Sequence, residues 1–341
     1  MLIEDLLNQK KWNLYRKDSQ SSNSIFIAKE ITDLPRNELF PRRVSHPTIP
    51  DIDIISKIKL TGDVSQADYV LVPHSWRNIM KNHAYISYLN QLSRDTPILI
   101  VNSGDVSPRC TLHNKLELRT FIHPWENLNR KIVLPYPVKE KQFIIKSWKP
   151  KPRISFIGYV PKFGPGSLLG ENVQGLLNPI KSSVYLNRNI AAFRLKKLKS
   201  RFDVYFQARS AFTAYTSNPN LEKHVLEYDK DLSVSDYVLC PRGAGNVSMR
   251  FFETLSSGTT PILIKSGGQL PILQDDEFWN NNVINLGLFE NWVDIISKDW
   301  AHLGIGQNYK DRQSQNNMVF LKQLKFEVYL EKLFNKYLRS F

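Results

Sequence analysis

Short runs of consecutive apolar residues, each followed by a stretch of helical periodicity, constrain this chain more than any other feature. Residues 67–73, Ala-Asp-Tyr-Val-Leu-Val-Pro, and residues 97–101, Pro-Ile-Leu-Ile-Val, are two such runs, with an amphipathic stretch at 76–94 between them. Side chains of a strand alternate between faces, so a run that is apolar on successive residues needs cover on both sides. A strand, a helix and a second buried strand make a βαβ unit, and that unit requires parallel pairing. The pattern predicts an α/β chain with a parallel sheet.

A second series of the same kind follows residues 129–153, which are rich in Lys, Arg and Pro and contain the breakers Pro135, Pro137, Pro150 and Pro152. Runs at 154–157, 202–206, 236–240 and 261–264 read as strands beyond it. With 341 residues the chain is long enough for about two domains. The expected division is 1–150, a first Rossmann-like domain; 151–312, a second; and 313–341, a helix packing on the domains through Phe326, Leu330, Leu333 and Tyr337 at helical spacing.

Lys and Arg number 46 against 32 Asp and Glu, a formal charge of +14, which suits nucleic acid, anionic lipid or a phosphorylated small molecule. Two cysteines, Cys110 and Cys240, make neither a disulfide framework nor a zinc site and point to a reducing compartment. No stretch nears the ~18 apolar residues that span a bilayer, and the first ten residues read as no secretory signal. The expectation is a cytoplasmic protein.

The stretch most informative about chemistry is 236–263, which reads strand, glycine turn, helix, glycine stop, strand. Gly243 and Gly245 let the backbone approach a ligand, and Asn246 is placed to cap a helix over 247–257. A helix N-terminus offers free N–H groups and partial positive charge to an anion. Val247, Phe251 and Leu255 share the sheet-facing stripe, whereas Arg250, Glu253 and Ser257 fall on another face. Arg242 and Arg250 suit the clamping of a diphosphate, and Glu253 suits ribose hydroxyls. An i, i+3 surface ion pair between Arg250 and Glu253 is the plainer alternative. Ser248 stands where Gly-x-Gly-x-x-Gly needs its third glycine, and no Gly-Lys-Ser/Thr loop occurs, which disfavours dehydrogenase and P-loop readings.

The string from Tyr237 to Leu263 resembles the donor-site signature of exostosin-type glycosyltransferases, with weaker matches at Leu270-Pro271, 153–158 and 67–73. That resemblance implies a GT-B architecture, two Rossmann-like domains with parallel sheets facing across a cleft, the second holding a nucleotide sugar and the first an acceptor. It implies an inverting glycosyltransferase, a hexosyl- or pentosyltransferase, moving a sugar from a nucleotide diphosphate donor, with UDP-sugar favoured, to a glycan or lipid-linked glycan. The chain looks like a compact single-module relative. The resemblance further implies donor binding by Arg242, Gly243, Gly245, Asn246, Ser248, Arg250 and Glu253, with no metal and no cofactor beside the nucleotide sugar as substrate.

Inversion needs a base for the acceptor hydroxyl and positive groups for the leaving diphosphate. Ligands of open α/β sheets sit beyond the carboxyl ends of strands, which nominates His74 after the first buried run and Asp105 after the second, with Asp105 as base or as orienter of His74. Asp51 and Asp53 match Asp-x-Asp, yet they follow Pro50 and precede an amphipathic stretch, so they read as a helix start and not as metal ligands. The basic run holding Lys131, Lys139, Lys141, Lys146, Lys149 and Lys151, with Glu140 as its lone acid, reads either as a solvated connector or as a surface for anionic membrane. A nucleic-acid-binding protein with a non-catalytic phosphate turn is the alternative from another class, although no motif of that class is present.

Overall fold

The computed structural model describes residues 24–27, 59–60, 65, 67–72, 76–102, 109–120, 122, 130–160, 179–209, 221–242, 247–265, 269–271, 277–304 and 307–335. Among these residues the chain builds two sheets, both wholly parallel. The first takes β1 (Ser24–Ile27), β2 (Lys59–Leu60), β3 (Tyr69–Leu71), β4 (Ile98–Val101), β5 (Lys115–Arg119) and β6 (Lys131–Val133) in the order β2-β1-β3-β4-β5-β6. The second takes β7 (Arg153–Tyr159), β8 (Asp203–Arg209), β9 (Tyr237–Cys240), β10 (Thr260–Ile264) and β11 (Ile284–Leu286) in the order β11-β10-β9-β7-β8. The fold class is therefore α/β with two parallel sheets, as the apolar runs predict.

Cover on both faces is visible in the second sheet. Tyr237 and Leu239 of β9 join Phe156, Ile262 and Ile284 in one core, closed by α3 (Pro179–Lys197) and α7 (Trp292–Leu303). Val238 and Cys240, one residue out of phase, join the opposite core beneath α4 (Leu221–Val234), α5 (Met249–Ser256) and α6 (Glu277–Asn282). In the first sheet Val70, Val72, Ile98 and Ile100 pack against Trp76 and Ile79 of α1 (Trp76–Ile79) and Tyr85 and Leu89 of α2 (His83–Leu92).

Two helices differ from expectation. The single helix expected at 76–94 is two, because the Asn82 side chain accepts the Tyr85 N–H at 3.0 Å and opens a new helix in mid-stretch. The terminal helix starts earlier than 313 and is interrupted: α8 (Gln307–Val319) runs into a π-helical turn, Lys325 leaves helical geometry, and α9 (Phe326–Asn335) begins anew. Phe326, Leu330 and Leu333 are buried as their spacing predicts; Tyr337 lies outside the described residues. None of the described helices is long and apolar enough to cross a membrane.

The basic run is the larger correction. Between β6 and β7 the chain lies as a strap on the second sheet and its helices, with Val138 in their core. Lys141 reaches Asp229 of α4 at 2.8 Å, and Lys149 reaches Asp236 at 3.1 Å. The Lys146 ammonium donates to the carbonyls of Leu232 and Ser235 and to Thr259 Oγ1. A cation at the end of α4 meets carbonyls that have no helical partner. The Trp148 ring stacks on Trp300 at 5.8 Å, and Trp300 Nε1 donates to the carbonyl of Lys149. The run is more than a solvated connector, since these three lysines face acids and carbonyls of their own chain.

Burial lowers the Lys146 pKa to about 8 from 10.5, against the opposing pull of Asp236. Between these values the unfolded chain holds a proton that the folded chain has released, so the Lys146 contribution to stability rises with pH across that window. Urea unfolding of the wild type and Lys146→Gln from pH 8 to 9.5 should show the wild type gaining on the variant by on the order of 1 kcal/mol per pH unit. A gap that is flat or shrinking contradicts the assignment.

Candidate anion-binding crevice of the second sheet

The order β11-β10-β9-β7-β8 reverses direction between β7 and β9. From β7 the chain moves outward to β8, then returns to lay down β9, β10 and β11 on the other side. The carboxyl ends of β7 and β9 therefore border the crevice in which open α/β sheets hold their ligands. Those ends are Tyr159 and Cys240, and side chains cross between them. Arg250, from the first turn of α5 after β9, donates through Nη2 to the carbonyl of Ile157 on β7. Arg188, from α3 after β7, donates through Nη1 to the carbonyl of Tyr159 at 2.9 Å and through Nε to that of Arg242 at 3.0 Å.

Gly158 makes this crossing possible. A Cβ there would stand 2.5 Å from Arg250 Nη2 and 3.1 Å from Phe156 Cζ. The guanidinium occupies the space that any other residue would fill with its side chain.

On the elements that border these strand ends, Arg242 Nε, Arg250 Nε, Ser248 Oγ and Arg209 Nε are buried and, among the described residues, without a hydrogen-bond partner, a state that Arg119 Nε and Arg153 Nε share elsewhere. Burial lowers the pKa of the Arg242 guanidinium, and burial is also the largest influence lowering that of Arg209, with Glu227 opposing it and Arg250 adding to it. Glu227 lies 3.6 Å from Arg209. A buried donor left unmatched costs about 1–3 kcal/mol, more for a charged group, so the elements bordering these strand ends are a candidate place for an acceptor-rich anion.

Helix α5 begins at Met249 with Ser248 as N-cap, which corrects the expected start at 247 and the expected cap at Asn246. Ser248 has extended backbone angles, and its hydroxyl makes no capping bond. Gly243, Gly245 and Asn246 lie outside the described residues. Glu253 and Ser257 do not line a free face: Glu253 is 7% exposed and Ser257 2%. The cation beside Glu253 is Lys141 of the strap, 3.7 Å away, so the surface pair with Arg250 is replaced by a buried one. Lys141 carries a raised pKa, its burial being outweighed by Glu253 and Asp229.

His74, Asp105, Asp51 and Asp53 lie outside the described residues. Beside the Asp105 segment, Asn102 at the end of β4 donates to Glu117 Oε2 at 2.8 Å, and both are buried. Arg188, Arg209 and Lys141 escape a reading of the 236–263 string because they come from other elements. The one signal available for Arg188 and Arg209 is their position on the segments flanking the carboxyl ends of β7 and β8.

No protein-family model and no curated protein matches the chain. Among solved structures, the chain is similar to MurG of Acinetobacter baumannii at 12% identity, covering 82% of this chain and 85% of that one with a TM-score of 0.32. A glycosyltransferase from Rickettsia africae matches at 11% identity, covering 80% and 78%, TM-score 0.34. WaaG, a glycosyltransferase involved in lipopolysaccharide biosynthesis, matches at 10% identity, covering 79% and 75%, TM-score 0.31. Likenesses at these scores carry no argument, and the two parallel sheets rest on their own strand pairings.

Two substitutions test the crevice. Gly158→Ala should keep the fold, because the atom in its way is the far end of a flexible side chain, and should weaken any binding of inorganic pyrophosphate severalfold by displacing Arg250; unchanged affinity in calorimetry contradicts this. An N-cap Ser→Ala change ordinarily costs ~1 kcal/mol. At Ser248 the cost in urea unfolding should stay below about 0.5 kcal/mol, since no capping bond is lost, and a full capping loss would show that the hydroxyl serves the helix.

Proposed function

We propose that the chain is an inverting glycosyltransferase of exostosin type in a GT-B arrangement, moving a sugar from a nucleotide diphosphate, UDP being favoured, to a glycan or lipid-linked glycan. The observation that carries this reading is that Arg242 Nε, Arg250 Nε and Ser248 Oγ, all on the segment that follows β9, are buried and unmatched among the described residues. The resemblance of the 237–263 string supports it from the sequence side. In this division residues 1–150 form the acceptor side and 151–312 the donor side, with α8 and α9 in place of the single terminal helix expected at 313–341. The strap belongs to the first span by number and leans on the second by contact.

The chemistry asked of the crevice is stabilisation of the charge that develops on the departing diphosphate. Arg242 and Arg250 offer fixed positive charge in a partly desolvated place, where such charge acts more strongly than in water. Ser248 and the start of α5 add donors, and Gly243, Gly245 and Asn246 are assigned to donor binding from the sequence string alone. Glu253 enters through Lys141, holding α5 to the strap. The acceptor hydroxyl gives its proton to Asp105, or to His74 oriented by Asp105, across the cleft. No metal is required for these roles, and no cofactor beside the nucleotide sugar. Peripheral contact with an anionic membrane belongs to the same reading. The outer side of the strap exposes Ile144, Ile145 and Trp148, with Lys139 and Lys151 exposed on it.

Thermal unfolding against UDP, GDP, CMP and short oligonucleotides tests the proposal. One nucleoside diphosphate should stabilise selectively, by about 2.7 kcal/mol at 100 times its dissociation constant, and Arg250→Ala should abolish the shift. Stabilisation by oligonucleotides alone would overturn the reading in favour of a nucleic-acid-binding protein.

A further inference from the structure

Arg250 is held by more than its bond to the Ile157 carbonyl. Its guanidinium carbon lies 4.9 Å from the centre of the Phe156 ring and 5.7 Å from that of Tyr228. Both are cation–π distances. Phe156 comes from β7 and Tyr228 from α4, so two elements fix where the charge of a third can stand. Tyr228 packs against the core beneath α5, and a second cation, Lys141 Nζ of the strap, lies 5.8 Å from its ring centre.

The residues around this ring are paired in a regular way. On α4, Glu227 faces Arg209, Asp229 faces Lys141 and Asp231 faces Arg153. Each of those cations has a carboxylate within 4 Å. Among the described residues the Arg250 guanidinium meets the Ile157 carbonyl and the two ring faces, with no carboxylate within ion-pair distance. An aromatic face attracts the charge without neutralising it, so the cation stays available to an anion. A carboxylate in the same place would cancel it.

Resting on the proposed function, we infer that Tyr228 is a positioning residue for the donor diphosphate: its ring, and not its hydroxyl, aims Arg250 at the crevice. Burial drives the phenol pKa well above its usual value, so the ring stays neutral and never competes with the ligand as a phenolate. Because Lys141 shares the ring, the strap bears on the same geometry.

Three variants and a double variant decide it, measured by calorimetry with inorganic pyrophosphate and with whichever of UDP or GDP the wild type binds. Tyr228→Phe keeps the ring and should keep wild-type affinity. Tyr228→Leu keeps apolar volume but not the ring and should weaken both ligands by roughly three- to thirtyfold, the range expected of a desolvated cation–π contact. In Arg250→Ala the Tyr228→Leu change should add little, because its effect runs through the arginine. Equal losses in Tyr228→Phe and Tyr228→Leu, or additive losses in the double variant, overturn the assignment while leaving the proposed function standing. A wild type that binds neither UDP, GDP nor pyrophosphate overturns the proposed function and this assignment with it.

Discussion

The buried carboxylate of Asp236 is the point on which the second sheet is assembled. It is 3% exposed and stands at the foot of β9, where it accepts the backbone N–H of Arg153 at 2.7 Å, the Lys149 ammonium at 3.1 Å and the Tyr309 hydroxyl. Those donors come from the start of β7, the strap and α8. A buried charge persists only when it is matched in this way. The match sets β9 beside β7 in one register, and that register decides which side chains meet at the opposite end of the strands. Tyr237 extends the same tie, donating to Asp299, which also receives Arg312.

At the other end the balance is reversed. The foot of the sheet is rich in carboxylates that take Arg153, Lys149 and Arg312, whereas the carboxyl end gathers Arg188, Arg209, Arg242 and Arg250 with Glu227 as the acid beside them. Ion pairs at the foot help the fold to carry the unmatched donors above, whose cost an anion bound there would offset.

Much of this was legible in the sequence, for physical reasons that differ from element to element. The runs at 69–71, 98–101, 237–240 and 260–264 declared buried parallel strands because nothing but two-sided cover suits consecutive apolar residues. The helix after β9 was legible through its apolar stripe, Val247, Phe251 and Leu255, all three buried. The strap was misread because lysine in a proline-rich stretch resembles a solvated linker, and its acids, Asp229 and Asp236, are far off in sequence. Glu253 was misread likewise, since periodicity separates faces of a helix but cannot say which neighbour covers the second face. Asn82 shows the reverse case, a local signal strong enough to divide a helix that periodicity would have continued.

Gly158 carries a consequence of another kind. Its missing side chain and the length of Arg250 describe one volume, filled once. Among descendants of this sequence the two positions are bound to vary together. An alanine or larger residue at the end of β7 selects for a shorter residue at the start of α5, and a lineage that gives up the arginine is freed to give up the glycine.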